Sequence, residues 1–482
     1  MAKTSGSRIA RQALIAGMVS LAATPVLADD LREALVMAYN TNPTLQAARA
    51  QQRAVDEGVP IVRSAGLPSV SGTATYSEFV EGSTSNPLAP QRNLDASVNL
   101  GMPVYAGGGI RNSLNAARTR VTAGQADLRG VESGVFSQVV SSYMDVILAE
   151  AVVKLNRANV QRLEVNLQAT RDRFEIGDLT RTDVAQSASR LALAQGQTRS
   201  AQANLIAARE RYIQVIGKAP QALTTPPALQ GLPTSADDAV AIALDSNPDL
   251  IAARQRSKAA GFDTAATNAK RLPQVSVFAS SGYNDFLGSN RIPGAVQSTT
   301  DTTVGVRATV PLYQGGLPSA QKRQAQAREG ATLEQEIGVE RAVIASVRSA
   351  YAQWQAAQSL TVSSQTAVDA AMLSLEGVRA ENTVGNRTIL DILNAENELL
   401  NAQVQLVTAK RNAYVAGFNL LAAMGKAEAR DLGLDGGPLY DPEVNARRAR
   451  NSIWDWNDNP KPKPVSTRTV DSRAQDGSVA GE

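Results

Sequence analysis

Few side chains in this chain could carry out catalysis. The 482 residues include neither histidine nor cysteine, which removes the usual general base, the commonest metal ligands and the cysteine that would carry a lipid anchor. An enzyme based on carboxylates or on a serine and a lysine would remain possible in principle. The sequence, however, shows no paired acid and base, no nucleophile triad and no metal cluster. We therefore expect no enzymatic activity and no cofactor.

The most suggestive polar spacing accompanies two glycines, Gly177 and Gly385. The segments are Phe174-Glu175-Ile176-Gly177-Asp178-Leu179-Thr180-Arg181-Thr182-Asp183-Val184 and Val384-Gly385-Asn386-Arg387-Thr388-Ile389-Leu390-Asp391-Ile392-Leu393. Arg387 and Asp391 are four residues apart, the spacing of an ordinary surface ion pair on a helix. Taken alone, these two residues predict no more than that.

A glycine-rich motif also occurs twice, as Pro103-Val104-Tyr105-Ala106-Gly107-Gly108 and Pro311-Leu312-Tyr313-Gln314-Gly315-Gly316. The run from Gly107 to Gly109 resembles a phosphate-binding loop but lacks the spacing and the lysine of that motif. Because the motif recurs between a strand pattern and a helical pattern, it favours a strand-to-helix junction in both places.

These motifs belong to a tandem duplication of nearly the whole chain. Asn42-Pro43-Thr44-Leu45 returns 205 residues later as Asn247-Pro248-Asp249-Leu250, and the later landmarks return after 208 residues, as Gly177 and Gly385 do. We predict a first repeat over residues 29–217, a linker over 218–235 and a second repeat over 236–426. A scaffold built by repetition is therefore expected.

Both ends of the chain differ from the repeats. Residues 1–28 have the basic start, apolar run and Val26-Leu27-Ala28 ending of a signal peptide. Their Lys3, Arg8 and Arg11 account for the whole net charge of +3, so the pI gives no reason to expect nucleic-acid binding. Residues 427–482 are expected to be a largely disordered tail, which Trp454 and Trp456 could dock on the folded body.

Alternating apolar and polar residues predict four strands, at about residues 70–79, 94–102, 275–284 and 302–310. Strands of this length can cross a bilayer when tilted, and no helix apolar enough to do so is expected. The same alternation would fit a soluble sheet. The flanking helices, however, are far too long to cover a small sheet, and four strands with open edges could span a membrane only by pooling with other copies.

Proline-free helical sequence runs from about 111 to 174 and from about 320 to 382. At 1.5 Å per residue, roughly 65 residues extend about 100 Å. Each run ends at a turn, Gly177 or Gly385, and a second helix returns. In the last return helix, spacings of three and four predict a coiled-coil seam through Leu393, Leu400 and Val407, with alanines beside it at Ala395 and every seventh residue.

These duplicated motifs together resemble the TolC family of outer-membrane export channels, over residues 29–427. The resemblance implies a mainly α-helical protein with a membrane β-barrel. Three protomers, with four strands each, would form one twelve-stranded barrel above a tunnel of coiled-coil helices. It also implies the outer membrane of a Gram-negative bacterium as location, contact with outer-membrane lipid, and two partners: a periplasmic adaptor and an inner-membrane ABC or proton-driven pump. Drug efflux and type I protein secretion both fit, with a modest preference for members that serve type I secretion, or several pumps at once, over dedicated multidrug lipoproteins.

The resemblance also assigns a gate at the periplasmic tip. Arg387 would bind the stretch around Thr182 and Asp183 of a neighbouring protomer, and Asp391 would form a ring of three carboxylates. Close relatives of TolC carry an aspartate and a tyrosine where this chain has Asn394 and Asn382, so one acidic ring and one fewer contact are expected. The competing interpretation is a coiled-coil filament subunit at the cell surface, which would leave the strand pairs unexplained.

Overall fold

The computed structural model describes residues 30–80, 90–289, 294–434 and 439–479. The predicted signal peptide lies outside the described residues. The first repeat begins with helices α1 (Leu31–Thr41), α2 (Pro43–Asp56) and α3 (Gly58–Ser64), followed by strands β1 (Ser69–Glu78) and β2 (Arg92–Ala106). It ends with the hairpin of α4 (Gly109–Glu175) and α5 (Arg181–Ile216).

The second repeat has the same order. Helices α6 (Ala236–Ser246) and α7 (Pro248–Asn268) precede strands β3 (Gln274–Asp285) and β4 (Ser298–Thr309), and the hairpin of α8 (Leu317–Thr383) and α9 (Ile389–Ala423) completes it. A short helix, α10 (Pro442–Asn451), lies in the tail. The four strands form one antiparallel sheet in the order β1-β2-β3-β4.

The two Asn-Pro pairs anchor each repeat in the same way. The Asn42 side chain accepts a hydrogen bond from the Thr44 amide at 2.9 Å, capping α2, and donates to the Val215 carbonyl at 2.8 Å. Asn247 does the same for α7 and the Ala423 carbonyl. One amide side chain therefore starts a helix and ties it to the end of its own hairpin, since an asparagine has both acceptor and donor groups.

The sheet has one continuous apolar face. Val70 of β1 pairs with Leu100 of β2, which pairs with Ala279 of β3, which pairs with Val304 of β4. Phe278, which interrupts the polar face, lies over Gly305, where an added Cβ would approach the ring to 2.8 Å. Both broad faces are largely exposed, and within the described residues the outer edges of β1 and β4 pair with no further strand.

The main core lies midway along the long helices α4 and α8, where the return helices α5 and α9 end. Its largest fully buried residues include Phe136 and Tyr143 of α4, Tyr212 of α5 and Phe418 of α9. By length and composition, α4 contains a stretch apolar enough to cross a membrane, contrary to the expectation that no helix would. The core explains this stretch, because α4 packs against its own return helix α5, against α7 and α9 of the second repeat, and against the small N-terminal helices.

The coiled-coil seam differs from the predicted one by one residue. On α9 the side chains packed against α8 are Ile392, Ala395, Leu399 and Leu406, with Ala402 partly buried beside them. The predicted seam residue Leu393 instead packs on Leu163 and Ala194 of the other hairpin. Two parallel apolar stripes exist because α9 lies between two neighbours, and the sequence pattern does not say which stripe faces which neighbour.

The tail also differs from its prediction. Ala427, Ala429 and Leu434 are buried in the main core, α10 packs on α2 and α3, and Val479 is again buried in the main core. This segment has no long apolar period because it follows the surface of the helices and is held by hydrogen bonds at separate points. Trp454 and Trp456 do not dock it, since both are exposed.

Candidate gate at the helix tips

Two glycine turns form the end of the molecule that is farthest from the sheet. Gly177 and Gly385 both have φ of +81°, the left-handed conformation that glycine adopts without strain. At each turn two backbone bonds close the preceding helix, such as Gly385 N to Asn382 O at 3.0 Å and Asn386 N to Glu381 O at 2.9 Å. No neighbour lies within 4 Å of an added Cβ at either position, so backbone conformation, rather than space, requires the glycine.

Each return helix begins with a capping box. The Thr180 amide donates to Asp183 Oδ2 at 2.9 Å, and the Thr388 amide donates to Asp391 Oδ2 at the same distance. The threonine hydroxyls also donate to these carboxylates, at 2.7 and 2.8 Å. Hydrogen bonds donated to a carboxylate stabilise its ionised form. The bonds from Thr180 therefore lower the pKa of Asp183, and those from Thr388 lower the pKa of Asp391.

The capping role was missed in the sequence, although its signal is present. Thr180-Arg181-Thr182-Asp183 and Thr388-Ile389-Leu390-Asp391 both have the threonine and acidic residue three positions apart that define the box. Thr182 lies between the two capping residues and is exposed. The local geometry therefore gives both aspartates a helix-starting function before any role in a pore is considered.

Arg387 pairs within its own tip in the single chain. Its Nε donates to Glu381 Oε2 at 2.7 Å, a contact that raises the pKa of Arg387, and its carbonyl accepts a hydrogen bond from Asn382 Nδ2 at 2.7 Å. Its ion pair thus reaches Glu381, a residue that sequence reasoning did not select, and not Thr182 or Asp183. Arg387 and Glu381 are both about half exposed, so the pair is open to exchange with another partner.

Behind the tip, one buried and one exposed polar contact join the two hairpins. Glu396 of α9 is only 1% exposed and accepts from Arg379 at 2.7 Å and from Asn166 of α4 at 2.9 Å. Arg190 of α5 donates to Asn394 of α9 at 2.9 Å. Sequence reasoning missed Glu396, whose signal was an acidic residue beside the apolar positions of α9. Asn394, which sequence reasoning named only because close relatives of TolC carry an aspartate there, accepts the hydrogen bond from Arg190 that links α5 and α9.

At the opposite end, the two glycine pairs precede α4 and α8. Gly107 and Gly315 have φ near +60°, and Gly108 and Gly316 cap the two helices with φ near +80°. Pro103 lies in β2 beside a register shift in its pairing with β3, whereas Pro311 follows β4. The chain therefore changes from strand to helix within a few residues in both repeats. Among the described residues, no acidic cluster is arranged to hold a metal ion.

Comparison with known proteins gives a consistent result. The family model described as "Outer membrane efflux protein" matches residues 34–218 and 239–426. The outer membrane efflux protein BepC of Brucella suis is 34% identical over 446 residues, which are 92% of this chain and 95% of BepC. The alkaline protease secretion protein AprF of Pseudomonas aeruginosa is 26% identical, over 86% of this chain and 88% of AprF.

The fold agrees with solved channels. The crystal structure of the CmeC outer membrane channel of Campylobacter jejuni superposes with a TM-score of 0.73 at 16% identity, covering 87% of this chain and 89% of CmeC. The predicted combination of helical barrel and β-barrel is thereby confirmed, and a filament subunit is not supported. The chain belongs to the outer membrane efflux protein family, that of TolC, and is an exit channel in the outer membrane of a Gram-negative bacterium.

Proposed function

We propose that three copies of this chain assemble into one channel-tunnel. The observation that carries the proposal is the exposed four-stranded sheet, with its continuous apolar face and its two unpaired outer edges within the described residues. Open strand edges are not stable in a bilayer, because their amide and carbonyl groups would lack partners. Pairing β4 of one copy with β1 of the next removes every edge, and three copies give the twelve strands expected from the family resemblance.

The long helices support the same assembly. Helix α8 exposes apolar side chains along its whole length, among them Leu333, Ile337, Val362 and Leu373. Neighbouring copies would cover these residues, as the two hairpins of one copy cover α4. At 1.5 Å per residue, the 67 residues of α8 extend about 100 Å, a length suited to crossing the periplasm.

The tip would act as the gate. In the trimer, Arg387 exchanges Glu381 for the stretch around Thr182 and Asp183 of the neighbouring protomer, and three copies of Asp391 surround the pore. Ionised carboxylates that converge on an axis attract cations and hinder anions. Docking of a periplasmic adaptor and an inner-membrane pump would break the exposed arginine contacts and open the tip.

Cross-linking of the sheet edges tests the assembly. Because the chain lacks cysteine, the double variant Thr75→Cys and Thr303→Cys places reactive groups only on the outer strands. A short bis-maleimide should then give a ladder that ends at three copies. A matched pair inside one sheet, Asn99→Cys and Ser280→Cys, occupies partner positions of β2 and β3 and should cross-link only within a chain. A ladder ending at two copies, or no ladder, would overturn the trimer.

The cargo can be assigned by deleting the gene. By its name AprF serves protease secretion, whereas BepC is an efflux protein, so both uses occur among the relatives. Loss of one or a few proteins from the culture supernatant would show that the channel serves type I secretion. An unchanged supernatant with greater sensitivity to toxic compounds would assign it to efflux.

A further inference from the structure

The tail presents an exposed aromatic loop. Ile453, Trp454 and Trp456 are 68, 72 and 84% exposed, and these are two of only three tryptophans in the chain. The third, Trp354, packs against Tyr351 in the helical body. Adjacent apolar side chains of this size, left open to solvent, indicate a surface that meets another phase or another molecule. We refer to residues 453–458 as the tryptophan loop.

Helix α10 aims this loop towards the sheet. Asn445 Nδ2 donates to Asp56 Oδ2 at 2.7 Å, and Arg448 lies 3.8 Å from Glu57. Three residues before the loop, the Arg450 carbonyl accepts a hydrogen bond from Arg63 at 2.5 Å. Along these three contacts the residue numbers rise on α10 and also rise from α2 to α3, so α10 runs parallel to α2 and α3. Its C-terminal end therefore points where α3 leads into β1.

The loop then folds back at that end. The Asn457 amide donates to the Trp454 carbonyl at 3.3 Å, and Arg448 reaches forward to donate to Asn459 at 2.7 Å. These two bonds hold the tryptophans beyond the end of α10. Trp454 follows Arg450 by four residues, so its backbone lies within about 14 Å of the carbonyl that Arg63 binds. The loop is thus beside the end of the sheet that adjoins the helices.

The surroundings of the loop are basic. Arg447, Arg448 and Arg450 at the end of α10, with Arg63 of α3 beside them, outnumber Asp455 and Asp458 of the loop. Ile61 of α3, the helix that contacts the end of α10, is a further apolar side chain that is 70% exposed. Tryptophan together with basic residues is typical of segments at the boundary between a membrane and water. There the indole enters the headgroup layer and the cations bind lipid phosphates.

We propose that the tryptophan loop inserts into the periplasmic leaflet of the outer membrane, and that Arg450 at the end of α10 binds an anionic phospholipid headgroup. The membrane leaflet is the surface that the loop is expected to contact, because the loop lies near Arg63. Strand β1 begins six residues after Arg63 and enters that membrane in the proposed assembly. The loop would fix the height and tilt of the channel from outside the barrel. The inference rests on the sheet being membrane-spanning, as proposed above.

Tryptophan fluorescence of the intact protein tests the proposal. The channel is reconstituted into bilayers of phosphatidylcholine with or without phosphatidylglycerol, with bromine carried near the headgroups on the acyl chains. We expect strong quenching in the phosphatidylglycerol bilayers and at least two-fold weaker quenching in phosphatidylcholine alone. The variant Trp454→Phe with Trp456→Phe should lose this quenching. It retains only Trp354, whose place in the helical body keeps it away from lipid.

Three results would overturn the proposal or part of it. Equal emission with and without brominated lipid would show that the loop faces water. Equal quenching in both bilayers would show that insertion of the loop does not depend on anionic headgroups. Equal emission with and without brominated lipid, combined with protection from acrylamide in the same bilayers, would mean instead that a neighbouring protomer covers the loop. Cross-linking of the sheet edges reports on the assembly separately, so a failed trimer can be told from a failed loop.

Discussion

The two repeats place corresponding charged residues in different surroundings. Arg49 and Glu132 of the first repeat correspond to Arg254 and Glu340 of the second, at the offsets of 205 and 208 residues. Arg49 is 6% exposed and lies over the rings of Tyr39 and Tyr440, at 4.2 and 5.0 Å. The side chains of Arg254 and Glu340 are 40 and 45% exposed.

The tail causes this difference. Tyr440 of the tail covers Arg49, and the Ala429 amide donates a hydrogen bond to Glu132 at 2.7 Å. The other described contacts of residues 427–479 are also mainly with the first repeat. Burial raises the pKa of Glu132. A duplicated sequence therefore specifies duplicated backbones, but the segment added after the second copy decides which surface is sealed. The exposed second repeat, above all α8, is the part that neighbouring copies would cover in the proposed trimer.

The largest contrast is expected at the glycines that end the return helices. Gly217 and Gly425 have φ of +88° and +73°, so alanine at either is strained by about 1–2 kcal/mol. At Gly425 an added Cβ would also lie 2.4 Å from the Ser246 carbonyl oxygen, whereas at Gly217 its one close contact, at 2.7 Å, is with the movable Thr467 hydroxyl. Gly425→Ala should lower the free energy of unfolding by about 4 kcal/mol or more. Equal losses in denaturant unfolding of both variants would contradict the comparison.

The buried carboxylate behind the tip comes next. Glu396 joins the hairpins, while the equivalent position of the first repeat is Ala188. Glu396→Ala leaves Asn166 and half-exposed Arg379 without this partner and should cost about 2–3 kcal/mol. Closed-state conductance in planar bilayers should rise as the hairpins loosen. Glu398→Ala, two residues away on an exposed part of α9, is the matched control and should change neither quantity.

The two capping aspartates separate helix starting from pore function. Asp183 and Asp391 have the same cap geometry, so alanine at either should weaken its helix start to a similar extent. If Asp391 alone surrounds the pore, only Asp391→Ala should reduce cation selectivity, measured as the reversal potential across a planar bilayer in a salt gradient. A similar loss of selectivity in Asp183→Ala would sink the assignment of the acidic ring.

Removing the arginine of the second tip should have a smaller effect. Arg387→Ser deletes both the contact with Glu381 and the proposed contact with the neighbouring protomer, so closed-state conductance should increase several-fold. Glu381→Gln disturbs only the contact within the chain and should leave conductance near that of the parent. Identical single-channel traces for Arg387→Ser and the parent would show that this pair is an ordinary surface contact.

The smallest expected effect is on the pH dependence of stability, compared at the corresponding glutamates Glu132 and Glu340. Because burial raises the folded-state pKa of Glu132, its protonated form stabilises the folded state. This contribution is complete below the unfolded-state pKa of about 4.3 and is lost as the pH rises through the raised folded-state pKa. Relative to the parent, Glu132→Gln should gain stability across that window. Glu340→Gln, at a position whose side chain is 45% exposed, is the matched surface control. A pH profile of Tm for Glu132→Gln that runs parallel to that of the parent would refute the prediction.

Much of the fold could be read from local sequence. The Asn-Pro pairs, glycine turns and alternating strands lie within a residue or a few of their predicted positions because each depends on neighbouring residues in the chain. Backbone conformation at Gly385 and the start of α2 at Asn42 are decided within a single turn. The capping boxes belong to this class too, and could have been predicted from their threonine and aspartate spacing.

The sequence alone thus determined the duplication, the element order and the family. Tertiary structure decided which of the two stripes on α9 faces α8, that Glu396 is buried between the hairpins, and that the tail follows the first repeat to a loop beside the sheet. These features depend on which surfaces meet. A helical period shows that a face is apolar, but only the arrangement of the neighbouring helices decides what covers it.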